Sequence, residues 1–330
     1  MPMPVPLSVL DLASVGPDES VRDGLEGCVR LAQRAEELGY TRVWYAEHHN
    51  ISSIASSAPA VLIAHVAAHT AHIRLGAGGV MLPNHAPLVI AEQFGTLAEL
   101  HPGRIDLGLG RAPGTDGNTS RALRRDGQAA DTFPQDVVEL QGYLSGDTTI
   151  PDVHAVPGRG TGVPLYILGS SLFGAQLAAA LGLPYGFASH FAPAALRDAV
   201  AIYREHFRPS AQLERPYVIA GVNVLAADTA AEAERQLARR RRVIARAIFS
   251  RPGHRVDERE AEVILRTPHA RHVDEMLTHT AAGMPDVVRA QLAEFRALAG
   301  ADELMTVHGA DTVEGRLRSL ELVAEVAAHR

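Results

Sequence analysis

Short apolar runs alternate along the chain with longer segments whose apolar positions recur at helical spacing. Leu7–Leu10 reads as a buried strand. Val21–Leu38 follows, with Leu25, Cys28, Val29, Ala32, Ala35 and Leu38 on one face, and Gly39 stops it. The alternation continues with a strand at Arg42–Ala46 and a helix at Pro59–Thr70. A Gly-rich strand at Ile73–Val80 precedes a helix at Pro87–Leu100 that carries proline in its first turn. Next come strand Ile105–Leu109, helix Phe133–Leu144, strand Pro164–Leu168 and helix Leu172–Leu181. Strand Tyr185–Ala188, helix Ala194–Phe207, strand Tyr217–Leu225 and helix Thr229–Ile248 follow, and strand Glu303–Val307 and helix Val313–Ala328 close the series.

These are eight strand–helix pairs in strict alternation. Apolar strands alternating with helices predict a parallel sheet with helices covering it. Eight pairs favour one closed (β/α)8 TIM barrel over an open sheet, so residues 1–330 read as a single domain with long insertion loops. Three segments stand outside a minimal barrel. Residues 112–132 and 145–163 are rich in Gly, Pro and Asp. Residues 250–286 carry alternating charges, a Pro-Gly pair and few large apolar side chains, which predicts a mobile lid.

Composition narrows the chemistry. At 330 residues and 46% hydrophobic, the chain can bury a large core. Its formal charge is 31 − 38 = −7, so it offers no basic footprint for nucleic acid or an anionic membrane. All 31 cationic residues are arginine. The absence of lysine excludes Schiff-base catalysis and a P-loop lysine. The lone cysteine, Cys28, excludes an internal disulfide and a cysteine-based zinc site. No signal-peptide pattern and no apolar stretch of membrane length occur, and a cytoplasmic location is expected.

In such a barrel the active site lies at the C-terminal ends of the strands. Glu47-His48-His49 after the second strand joins a carboxylate to two imidazoles. This suits a general acid/base histidine beside an orienting carboxylate, or equally a structural Glu/His network. Adjacent strand residues face opposite ways, so one of the two histidines is expected at the mouth. Neighbouring histidines diverge and no third ligand is evident, which argues against a metal. His65/His69 and His269/His272 read as surface pairs. Gly76-Ala77-Gly78-Gly79 and Gly108-Leu109-Gly110 read either as tight barrel layering or as room for a flat ring against the backbone. Arg111 offers a fork for phosphate. Gly169-Ser170-Ser171 opens a helix, which suits a phosphate monoester or simply a serine cap. Ser189-His190 and His308 complete the polar strand ends.

Several stretches together are similar to the bacterial luciferase-like flavin-dependent monooxygenase superfamily, and to its FMN-associated branch in particular. They are LSVLDLASVG, ELGYTRVWYAEHHN, IASSAPAVLIAHVAA, IRLGAGGVMLPNHAPLVIAEQFGTLAELHPGRIDLGLGRAPGTD, PLYILGSSLFGAQLAAALGLPYGFASHFAP and ADELM. They span nearly all of residues 7–230 and the last strand, and the likeness fades over 231–286. The resemblance implies a (β/α)8 barrel that takes reduced FMN at the strand C-termini. It puts His48 in the catalytic histidine position, with Glu47 and His49 beside it. It implies a cis peptide at Gly78-Gly79 against the flavin, Arg111 on the FMN phosphate, and Gly169, Ser170 and Ser171 in the phosphate loop. Ser170 stands where the luciferase itself has a carboxylate. The implied chemistry is oxygenation of a small organic or natural-product substrate through a C4a-peroxyflavin. A separate NAD(P)H:flavin reductase would supply FMNH2, and a homodimer is expected. Alternatives are hydride transfer with the deazaflavin F420, a non-catalytic flavin-binding barrel, and a flavin-free barrel isomerase or aldolase acting on a phosphorylated substrate.

Overall fold

A computed structural model describes residues 5–112, 116–125, 129–251 and 254–328. In chain order the elements are β1 (Leu7–Asp11), α1 (Val21–Glu37), β2 (Arg42–Tyr45), α2 (Pro59–Ala67), β3 (Arg74–Met81), α3 (Pro87–Leu100), β4 (Ile105–Gly110), α4 (Gly117–Ala122) and α5 (Phe133–Ser145). They continue as β5 (Leu165–Gly169), α6 (Leu172–Leu181), β6 (Tyr185–Phe187), α7 (Leu196–His206), β7 (Val218–Ala226), α8 (Ala230–Phe249), α9 (Glu258–Leu265) and α10 (Ala270–Met276). The last four are β8 (Thr280–Gly283), α11 (Pro285–Ala299), β9 (Glu303–His308) and α12 (Val313–Ala328). Local chemistry fixes many of the ends. Ser20 and Asp23 form a reciprocal capping box at the start of α1, and Gly182 takes the left-handed conformation that ends α6.

Strands β1 to β7 pair in sequence, all parallel, and β9 closes the barrel between β7 and β1. The eight-stranded barrel read from the pattern is therefore present. The ninth strand, β8, runs along the C-terminal half of β7 at Asn223–Ala226, beyond the point where β6 stops pairing. A large apolar core lies between the strands and the helices and includes Ile63, Phe94, Val137, Ala178, Tyr203, Leu292 and Leu320.

The pattern misassigns one helix. It reads 229–248 as the ring helix after β7, but α11 packs on β7, α7 and α12 and fills that place. Helix α8 instead heads an excursion. Its Ile244 and Ala245 join Val256, Ala261, Val273 and Leu277 in a small separate core. The excursion thus starts at 230 rather than 250, and part of the segment expected to lack packing partners buries apolar side chains of its own.

Inside the barrel, inward-facing residues form layers. The middle is apolar, with Leu10, Trp44, Tyr166, Ile219, Met305 and Val307 in contact. Below it, at the N-terminal ends of the strands, lies a charge cluster. The Arg42 guanidinium pairs with Asp106 at 2.7 Å and with Glu303 at 2.9 Å. Arg74 pairs with the other oxygen of Asp106. Trp44 Nε1 donates to Asp106 at 3.1 Å, and Tyr217 Oη donates to Glu303 at 2.7 Å. Ser8 Oγ donates to Glu303 at 2.5 Å, and Arg42 donates to Tyr166 Oη at 2.7 Å. Two arginines balance two carboxylates, and both carboxylates are wholly buried. Burial opposes the Arg42 charge, yet Asp106 and Glu303 outweigh it and hold its pKa above the ordinary value. Burial, then Asp106, pushes the Tyr166 phenol up to about 12.

This floor is costly to leave half-paired. Arg42→Met strands Asp106 and Glu303 in the interior and is expected to lower unfolding free energy by about 3–5 kcal/mol. Urea denaturation followed by circular dichroism measures it, and a loss below about 1 kcal/mol would show that the floor is solvated rather than dry.

Candidate active site

At the opposite end, the C-terminal strand ends, the chain after β2 carries Glu47, His48 and His49. Along β2 the inward series is Arg42 and Trp44, continued by Ala46 in the interior cluster. Glu47 breaks from that series. It is fully buried and accepts from His49 Nε2 at 2.9 Å, His85 Nε2 at 2.9 Å, the Met81 N–H at 3.0 Å and Asn84 Nδ2 at 3.4 Å. Burial opposes its charge, but hydrogen bonds and charge from His85, then His49 and Met81, keep its pKa below the usual glutamate value. The carboxylate expected beside a catalytic histidine therefore ties β2 to the turn after β3. Glu47 thus contacts His49 within the triplet and His85 outside it. His48 is half-buried, and its backbone N–H donates to the Ser56 carbonyl at 2.9 Å.

The floor of the mouth is bare backbone. The peptide between Gly78 and Gly79 is cis, as the resemblance implied. The register of β3 on β4 shifts between Ala77 and Val80. A Cβ at Gly78 would lie 2.7 Å from Leu10 Cδ1, and one at Gly79 would lie 2.7 Å from the Gly108 carbonyl oxygen. Close layering alone therefore requires both glycines, and the layer they form is flat.

Across the mouth, Arg111 follows β4 and lies over the Phe173 ring at 4.1 Å, in the first turn of α6. Ser170 and Ser171 are exposed. Ser171 occupies the N-cap of α6 without a side-chain cap bond, so the serine-cap reading is not the one realised. The open first-turn N–H groups, two free hydroxyls and a guanidinium parked on the same helix form a donor set that fits a phosphate monoester. Gly169 precedes it at the end of β5, and its carbonyl accepts from the Ala188 N–H at 2.9 Å.

The other strand-end histidines diverge. His308 turns outward to α12, with Nδ1 at 2.8 Å from Ser319 Oγ, and burial pushes its pKa down to about 3. His190 turns inward. Its ring fits because position 221 is glycine; a Cβ there would collide with Nδ1. That Nδ1 is buried without a hydrogen-bond partner. Burial, then Arg240 and His48, pushes the His190 pKa down to about 3, so the ring is neutral. Asn223 Nδ2 donates to the His190 carbonyl at 2.5 Å. His65 on α2 and His69 just after it are exposed, and the His269 ring meets Phe249 edge-on in the excursion. Among the described residues no group of three His, Cys, Asp or Glu could hold a metal, and no helix is long and apolar enough to cross a membrane.

Residues 5–303 match the family described as luciferase-like monooxygenase. The chain belongs to the luciferase-like monooxygenase family. It is 54% identical over 231 residues to a luciferase-like monooxygenase of Escherichia coli (strain K12), spanning 70% of this chain and 69% of that one. It is 38% identical over 243 residues to the N-acetyl-S-alkylcysteine monooxygenase of Bacillus subtilis (strain 168), spanning 71% of each chain. The crystal structure of apo-MsnO8 superimposes with a TM-score of 0.85 at 36% identity, over 98% of this chain and 97% of that one. More distant structures share the fold alone. They include an oxygenating Baeyer–Villiger monooxygenase component in complex with FMN and an F420-dependent secondary alcohol dehydrogenase.

In this luciferase-like chain, sequence reasoning left three mouth residues without a role: His85, His190 and Arg240. His85 and His190 stand at visible strand ends, but no spacing rule joins His85 to Glu47 or His190 to Gly221. Arg240 sits inside an arginine run that reads as a solvated helix face.

The depressed Glu47 pKa has a pH signature. A lowered folded pKa contributes stability that is present above the unfolded value, about 4.3, and is lost as pH falls through the folded one. Glu47→Gln is expected to cost about 1–3 kcal/mol at pH 7 and progressively less below pH 4. Unfolding titrations across that range check it; a cost independent of pH would mean that Glu47 is not held ionised.

Proposed function

We propose that this protein is a two-component monooxygenase that uses reduced FMN and O2 to oxygenate a small organic substrate at the barrel mouth. One observation carries the reading. A phosphate-fitting donor set at Arg111 and the start of α6 faces, across the flat Gly78-Gly79 backbone, a half-buried histidine after β2. This matches the ends of a flavin mononucleotide: phosphate on one side, planar ring along the glycines. The B. subtilis relative acts, by its name, on N-acetyl-S-alkylcysteines, and a small thioether of that type is a candidate substrate.

When bound, reduced FMN supplies the electrons that activate oxygen. The residues of the chain do the rest. Arg111, Ser170, Ser171 and the α6 N–H groups hold the phosphate. The glycine backbone at 78–79 and Gly169 set the ring's position. His48 moves a proton at the ring edge, as an imidazole can near neutral pH. Glu47 and His49 act as positioning residues that anchor the backbone on either side of His48. The neutral His190 accepts a hydrogen bond without adding charge. Helices α8 to α10, which overlap the 250–286 lid expected from the sequence, would close over the mouth and exclude water. The reduced flavin comes from a separate NAD(P)H:flavin reductase, and the working form is a cytoplasmic homodimer.

Arg111→Ala is expected to weaken FMN by roughly ten- to a hundred-fold while riboflavin loses little, since a charge-assisted phosphate contact contributes about 1.5–3 kcal/mol. Flavin fluorescence titration reads both ligands. Equal losses would remove Arg111 from the phosphate site, and selective tight binding of F420 would replace oxygenation with hydride transfer.

His48→Ala is expected to keep reduced-FMN affinity within a few-fold and to lower product yield by roughly 10²–10⁴, the range for losing a general acid or base. Consumed oxygen should appear as hydrogen peroxide, measured by a peroxidase-coupled assay. Coupled turnover in this variant, or greater sensitivity of His49→Ala, would reassign the proton-transfer role.

A further inference from the structure

Helix α8 carries four consecutive arginines, Arg239 to Arg242, and they part company in space. Arg239 pairs with Asp311 at 3.0 Å, and Arg241 pairs with Asp274 at 2.8 Å. Arg240 points elsewhere. Its Nε is buried without a hydrogen-bond partner, and its side chain lies 4.0 Å from the Cβ position of Gly309. Gly309 follows β9 and extends the inward series Glu303, Met305 and Val307 by one step, so Arg240 reaches over the barrel interior rather than over its outer surface. Its charge also acts on His190 at the end of β6. Burial lowers the Arg240 pKa against the opposing charge of Asp311, yet a guanidinium stays charged.

A half-buried guanidinium with a buried, unpaired Nε costs stability. A protein keeps one where an anion will meet it. FMN phosphate is not that anion. Around the barrel the strand order is β1 to β7 and then β9, so β4, which carries Arg111, stands four strands from β9 and faces it across the mouth. One phosphate cannot serve both arginines.

Resting on the monooxygenase reading above, we propose that Arg240 anchors an anionic head group of the substrate, a carboxylate or a sulfonate, with the unpartnered His190 Nδ1 accepting a hydrogen bond from a donor on the same molecule. The oxidised atom then lies toward the flavin, between that anchor and His48. The excursion that begins with α8 thereby carries a substrate-recognition residue as well as covering the mouth.

The test uses the purified full chain with and without bound FMN. Calorimetry compares benzoate, phenylacetate and N-acetyl-S-benzylcysteine with their methyl esters, and benzenesulfonate with its methyl ester. The wild type is expected to bind at least one acid roughly ten-fold or more tightly than its ester, the scale of a charge-assisted contact. Arg240→Met and Arg240→Gln should abolish that preference, and Arg240→Lys should keep part of it. Both neutral variants should bind FMN as the wild type does. The ligand-free Arg240→Met protein should melt at or above the wild-type Tm, because a half-buried charge without a salt-bridge partner has been removed. The relative strength of carboxylate and sulfonate binding identifies the head group. An absence of acid preference across the panel, an unchanged preference in the variants, or a Tm loss like that of Arg42→Met would each overturn the proposal. Failure of the wild type to bind FMN, with the acid preference intact, would instead sink the monooxygenase reading and leave the anion anchor standing.

Discussion

Everything at the working end rests on the pairing of Arg42 with Asp106 and Glu303 at the far end of the barrel. Their three strands, β2, β4 and β9, are held at a fixed relative height by this one guanidinium. The geometry explains why charges can sit there at all. Two arginines meet two carboxylates, and Trp44, Tyr166, Tyr217 and Ser8 take up remaining hydrogen-bonding capacity. An apolar middle layer then separates this cluster from the mouth. With the floor sealed and the middle packed, the upper layer can be built from glycine backbone without the barrel collapsing.

The two ends treat charge in opposite ways. At the floor every charge has a partner, which favours rigidity. At the mouth, His190 is kept neutral and Arg240 lacks a salt-bridge partner among the described residues. Glu47 is the exception, fully satisfied by His49, His85 and a backbone N–H, and it stabilises the loop rather than facing a ligand. Catalytic electrostatics of this kind depend on groups fixed in advance of the reaction.

The barrel was legible because its strands are short apolar runs bounded by helices of clear period. The donor groups of Arg111, Ser170 and Ser171 were legible as residue types at strand ends; that Arg111 lies over Phe173 beside them was not. What stayed hidden has a physical cause in each case. Helical periodicity reports that α8 buries a face but not what that face meets, so it read as a ring helix. Strand β8 is four residues, Thr-Ala-Ala-Gly, with too little apolar bulk to register. The floor pairs join residues 64 and 261 positions apart, and a charged residue opening an apolar run looks the same whether it is solvated or paired. The Glu47-His48-His49 triplet left an acid/base couple and a structural network equally open, and no sequence spacing shows that His85 also reaches Glu47.

The excursion from α8 to α10 has its own small apolar core, formed by Ile244, Ala245, Val256, Ala261, Val273 and Leu277, distinct from that of the barrel. A unit that packs mainly on itself is free to diverge. Its sequence can drift while the barrel beneath keeps its fold and the glycine backbone at its mouth. Constancy below and variation above can thus coexist in one chain, because the two cores do not share their packing.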